Sequence, residues 1–211
     1  MRPLHHLKLP ALALLFTLLV VQLAALASEA QPIDVLRAHV SAGIAVLNND
    51  GEDSAEDYTN QQQQLCAIAH EMFDIYAFSR LVLADNWSAF SSVEQNDFVA
   101  TFGEFLCRYY LSRLQAHYSN EQVSFTSQSI KSPNRAVVSV TVRWRNTDVP
   151  IEVRMALRDN RWRAYDIVMA GISGVMIYRA EFQSLFARSS PQGVLDELRS
   201  RINRHGLATA P

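Results

Sequence analysis

The chain has 211 residues, 49% of them hydrophobic and 19% charged, with a formal net charge of −2 at pH 7. That length suits one domain with a substantial core. The lack of a basic excess argues against nucleic acid as the main partner, which would favour a basic domain.

The first 27 residues read as a secretory signal peptide. Arg2 and Lys8 give a positive start, an apolar run extends from Leu9 to Leu26, and Ala25-Leu26-Ala27 fits a small-residue cleavage site. Ser28-Glu29-Ala30 is a weaker second site. The run is also just long enough to span a bilayer, but the small residues at its end favour cleavage over anchoring. No Cys follows the site to carry a lipid, and no twin Arg precedes the run, so export is of an unfolded chain. Cleavage removes Arg2 and Lys8 and no acid, which takes the net charge from −2 to −4 and leaves residues 28–211 as one domain.

Helices come first. Val35, Leu36, Val40, Ile44 and Leu47 recur with a helical period over 33–47, and Asn48-Asn49-Asp50-Gly51 ends the run. The acidic stretch to Asp57 lacks calcium-loop spacing and reads as a solvated loop with acids near a helix N-terminus. A second helix is predicted over 58–73, with Leu65, Ile68, Met72 and Phe73 on one side, and a short third over 76–83. Ser91 and Glu94 have capping-box spacing and open a long helix to about Leu114. That helix has a broad face of Phe98, Phe102, Phe105, Leu106, Tyr109, Tyr110 and Leu114. So many rings cover either a thick core or a cavity. Cys66 and Cys107 fall on these helices and either bridge, as isolated pairs do in oxidising compartments, or pack as two small apolar groups.

The period then changes to two. Alternation is weak over 122–131. It is clear over 135–145, where Val138, Val140, Val142 and Trp144 share a face, and over 149–157, where Val149, Ile151, Val153, Met155 and Leu157 do. Asn146-Thr147-Asp148 and Asp159-Asn160 read as turns, and a third clear strand runs over 161–169. Two helices close the chain, over 175–187 and over 191–204, the second with Ser190 as cap and Pro191 at its first position. Grouped helices, grouped strands and grouped helices predict an α+β fold, an antiparallel meander covered on one face by N- and C-terminal helices.

The chemistry is sparse. His39, His70, His117 and His205 have no metal-binding spacing, and nucleophile-elbow, P-loop and dinucleotide motifs are missing. No catalytic residue, cofactor or metal is expected. Asp166 lies in phase with Trp162, Ala164 and Val168, a pattern that calls for a paired structural role or, less simply, a catalytic base. Arg143, Arg145, Arg154 and Arg158, followed by Arg161 and Arg163, form a local basic patch. It is either a solvated sheet face or a docking surface for an acidic partner or anionic headgroups. The corner Gly171-Ile172-Ser173-Gly174 is apolar where turns are usually polar, so Ile172 faces either the core or a ligand.

W-R-A-Y-D-I-V-M-A-G-I-S, residues 162–173, resembles the W-x-x-Y-D and G-[VI]-S signature of the MlaC-type, toluene-tolerance family of periplasmic phospholipid-binding proteins. Y-R-A-E-F over 178–182, the helix around Gly193–Leu198 and the aromatic helix over 98–110 are also similar to it, with Tyr110 where the family often has a tyrosine. The acidic loop and the two cysteines are not family features. The resemblance implies a non-enzymatic shuttle with a lipid cavity between sheet and helices. It would carry phospholipid between an outer-membrane lipoprotein complex and the MCE-domain protein of an inner-membrane ABC transporter, maintaining outer-membrane lipid asymmetry. The residues expected to meet acyl chains are Ile172, Tyr110, Phe105, Val142, Val153, Met155, Met169, Val175 and Met176. Trp162, Asp166 and Gly171 would shape the corner, and Arg143, Arg145 and Arg154 would dock partners. A hopanoid-associated branch of the family and, from another class, a small cone-shaped enzyme using Asp166 are the alternatives.

Overall fold

The computed structural model describes residues 30–49 and 54–208, the last four by backbone alone. The segment read from sequence as a signal peptide and the middle of the acidic loop lie outside the described residues. One compact unit begins at Pro32 and takes in all the elements below.

Three helices open it: α1 (Pro32–Leu47), α2 (Ala55–Met72) and α3 (Ile75–Leu83). The second starts three residues before the predicted position because the Ser54 hydroxyl accepts from the Asp57 amide and caps it. In the same way Asp74 caps α3 through the Ala77 amide. A 3-10 turn (Ala84–Ala89), not predicted, leads to α4 (Ser92–Leu106). Both halves of the Ser91/Glu94 capping box are present, and they hold the Glu94 carboxyl below its usual range. From there the long helix is not uniform. It widens into a π turn (Cys107–Leu111) before resuming as α5 (Ser112–His117). The bridge of Cys66 to Cys107, with Cα atoms 5.6 Å apart, ties α2 to this π turn.

The sheet is a five-stranded antiparallel meander in chain order: β1 (Gln122–Ser132), β2 (Arg135–Trp144), β3 (Thr147–Arg158), β4 (Arg161–Met169) and β5 (Ile172–Ser173). Three of its connections are two-residue turns with positive φ at both positions, Arg145-Asn146, Asp159-Asn160 and Ala170-Gly171. Their twist matches that of the flanking strands. The first replaces the turn expected at 146–148. The third makes the predicted corner a hairpin, with Ile172 in a strand too short to show a sequence period. Helices α6 (Gly174–Phe186) and α7 (Pro191–Ala208) complete the unit.

The apolar interior is divided in two. Leu36 of α1 lies against the apolar face of the sheet, with Ala136, Val138, Val140, Val153, Met155, Trp162 and Ala164. The other cluster is helical and aromatic, built on Phe78, Phe98, Phe102, Tyr178 and Phe182 from α3, α4 and α6, with Val194, Leu195 and Leu198 of α7. It joins the sheet along β4, where the Asp74 amide donates to the Ala164 carbonyl at 2.8 Å. The N-terminal helix thus covers the sheet, while the C-terminal pair belongs mainly to the second cluster.

Candidate functional site

One irregularity in β4 organises the site. Met155 faces Ala164 across the ladder, but Arg154 faces Asp166, so Tyr165 is an extra, bulged residue. The strand changes phase there. Trp162 and Ala164 lie on the apolar face with Met155, whereas Asp166 and Val168 lie opposite, beside Arg154 and Glu152. Arg135, on that outer side, sits over the Tyr165 ring at 4.9 Å. The in-phase placement of Asp166 with Trp162 and Ala164 expected from sequence therefore does not hold.

Asp166 is 1% exposed and fully engaged. One carboxylate oxygen accepts from Arg154 at 3.0 Å and from the Ser173 hydroxyl at 2.7 Å; the other accepts from the Val175 amide at 3.0 Å. The Met176 amide donates to the Ser173 oxygen, which caps α6. An anion at a helix N-terminus is favourable, and this carboxylate ties β4 to Ser173 of β5 and to the start of α6. Gly171 supplies the φ of +82° that the hairpin requires, and Trp162 closes the sheet core at the other end of β4.

The re-phased end of β4 completes an apolar row. Phe125 pairs with Val140, Val140 with Ile151, Ile151 with Met169 and Met169 with Ile172, so the row crosses all five strands on one face. Its cover fails along its length. Val140 is buried, Phe125 and Ile151 are half-buried, and Met169 and Ile172 are more than half exposed. Val142 in the neighbouring row is also half-buried. Met176 and Ile177, on the first turn of α6, are also more than half exposed.

The predicted lipid-contacting set divides accordingly. Met169, Ile172, Met176 and Val142 are open or half-open. Val153 and Met155 are sealed in the sheet core and Phe105 and Val175 in the helical core, leaving no free face on these four. Tyr110 stands apart on the π turn, half-exposed, its hydroxyl 2.9 Å from that of Tyr178. Burial pushes the Tyr178 phenol well above its ordinary range. Phe125, Ile151 and Ile177 lie outside the set of expected lipid contacts. Ile177 carried a signal, an apolar residue outside the buried stripe of Val175, Tyr178, Phe182 and Leu185.

The basic patch is largely neutralised. Arg143 forms a two-pronged pair with Asp148 at 2.9 and 3.1 Å, and Arg154 is engaged by Asp166. Arg158 reaches Asp74, while Arg161 and Arg163 reach Glu71. Arg145 lies over Trp144 at 5.1 Å. Among the described residues no group of His, Cys, Asp and Glu is placed to hold a metal, and no helix is long and apolar enough to cross a membrane.

The profile of the MlaC protein family matches residues 38–200. The chain belongs to the MlaC family. The matched span contains the bulge, the corner and both apolar clusters except Ile33, Val35, Leu36 and Ile202. Among solved structures, the chain is similar to a phospholipid-binding protein from Ralstonia solanacearum, determined in complex with a phospholipid. The two share 19% identity with a TM-score of 0.72, over 84% of this chain and 99% of that one. At that identity the likeness establishes the MlaC-like α+β fold. A search of the curated proteins finds no match.

Proposed function

We propose that this chain is a periplasmic phospholipid carrier rather than an enzyme. On this reading residues 1–27 are a cleaved signal peptide and residues 28–211 are one lipid-binding domain. The domain carries phospholipid between an outer-membrane lipoprotein complex and the MCE-domain protein of an inner-membrane ABC transporter, and so maintains outer-membrane lipid asymmetry. The supporting observation is the apolar row that runs from a closed core at Val140 to open side chains at Met169 and Ile172. A surface of that kind suits acyl chains, because each methylene taken from water contributes about 0.8 kcal/mol. Family membership and the phospholipid held by the Ralstonia neighbour support the same ligand class.

Carriage needs no covalent step, and the hydrogen bonds to both Asp166 oxygens support a structural role for it over that of a base. With five arginines paired, docking to protein partners through Arg143, Arg145 and Arg154 would rest chiefly on Arg145 at the β2–β3 tip. For chains to reach Phe105, Val153, Met155 and Val175, the two apolar clusters would have to part. Native mass spectrometry of the full chain, expressed with export and purified from cells, tests the proposal. A phospholipid mass adduct is expected. A hopanoid adduct would move the ligand to the other branch. A bare mass, together with no uptake from phospholipid vesicles, would overturn the proposal.

A further inference from the structure

We infer that Arg154, on the outer face of the sheet, is a positioning residue that governs how firmly the corner holds its lipid. The inference rests on the carrier reading above. The Asp166 carboxylate is buried, and Arg154 is the cation paired with it. The same carboxylate accepts from Ser173 and from the Val175 amide, and Ser173 in turn caps the Met176 amide. Ile172 and Met176, the open apolar residues, flank these contacts in the chain.

The Arg154 side chain is 41% exposed, so this end of the chain of contacts is accessible from solvent, on the sheet face opposite the apolar row. A carboxylate buried without its cation is unfavourable, and its neighbours must rearrange to admit water or a proton. That rearrangement has few places to occur other than β5 and the start of α6. β5 is only two residues long and pairs with β4 alone, and it follows a hairpin turn that places Ala170 at φ 49°. A hydrogen bond to a charged group is worth roughly a factor of ten to a hundred in an equilibrium, which sets the scale of the expected effect.

The test compares full-length wild type, Arg154→Gln and Arg154→Lys by amide hydrogen exchange and by release of bound lipid to phosphatidylglycerol and phosphatidylethanolamine vesicles. In Arg154→Gln the Val175 and Met176 amides should exchange about ten- to hundredfold faster, while those of Val138 and Val140 keep their protection. Lipid release should quicken in step, with Arg154→Lys intermediate; that variant also keeps the comparison available if Arg154→Gln does not fold. Unchanged protection at Val175, a uniform loss of protection across the sheet, or a loosened corner with wild-type release would each overturn the inference. A wild-type protein that carries no lipid sinks the carrier reading instead.

Discussion

Ile172→Glu separates a ligand-facing corner from ordinary core. Ile172 is 60% exposed, so its replacement removes little packing, and surface substitutions usually change stability by less than about 0.5 kcal/mol. Bound acyl chains would cover most of what is now open. Full burial of such a side chain is worth about 1.5–3 kcal/mol, so covering the open fraction contributes about 1–2 kcal/mol. Truncation to Ala should therefore weaken lipid binding by up to roughly 5- to 30-fold. Glu must weaken it further, because a carboxylate would then be buried against hydrocarbon with no cation beside it. The assay pairs urea unfolding with uptake of fluorescent phospholipid from vesicles. The expected pattern is a near wild-type unfolding midpoint with uptake reduced for Ala and lost for Glu. Equal losses of stability and uptake would show that Ile172 is core, and wild-type uptake in both variants would refute the assignment of the corner to lipid.

Other parts of the structure make independent predictions. Reducing Cys66–Cys107, or replacing both with Ser, opens a loop of 41-residue separation and should lower unfolding stability by up to about 4 kcal/mol; a denaturation curve unmoved by reductant would contradict the bridge. Gly171→Ala meets no atom within 4 Å but keeps a φ of +82°, so it should cost about 1 kcal/mol from backbone strain alone, whereas Ala170→Gly should leave urea stability unchanged or slightly raised. Because burial raises the folded-state pKa of Tyr178, its contribution is complete below the unfolded value of about 10 and is lost as pH rises beyond it. Tyr178→Phe should therefore flatten the alkaline limb of a stability–pH curve, and an unchanged limb would show that Tyr178 does not set it.

Much of the architecture was legible because its signals are local. The Ser91 capping box, the Asp159-Asn160 turn and the alternation of β2 and β3 depend on residues within a few positions of one another. The bulge at Tyr165 was not legible, since alternation continues unbroken through Trp162, Ala164, Asp166 and Val168 while the backbone shifts phase beneath it. Only the incongruity of a carboxylate in an apolar series hinted at the shift. The ion pairs were invisible for another reason: Glu71 and Asp74 reach the β3–β4 arginines from elements some ninety residues earlier. Apolarity alone also could not distinguish Phe105 or Met155, which are packed shut, from Met169 and Ile172, which are open.

The extra residue in β4 is a point where the strand can change length by one without exchanging its faces. Substituting Tyr165 would cost its contact with Arg135 and leave the register in place. Deleting it would restore regular pairing with Asp166 still opposite Arg154 and Met169 still opposite Ile151, so the corner and the apolar row would keep their faces. A one-residue insertion between Asp166 and Met169 would instead turn Met169 away from the row, which no single substitution can do. Length variation in this sheet is consequently expected at Tyr165 and in the exposed hairpin at Pro133-Asn134 rather than between Asp166 and Met169.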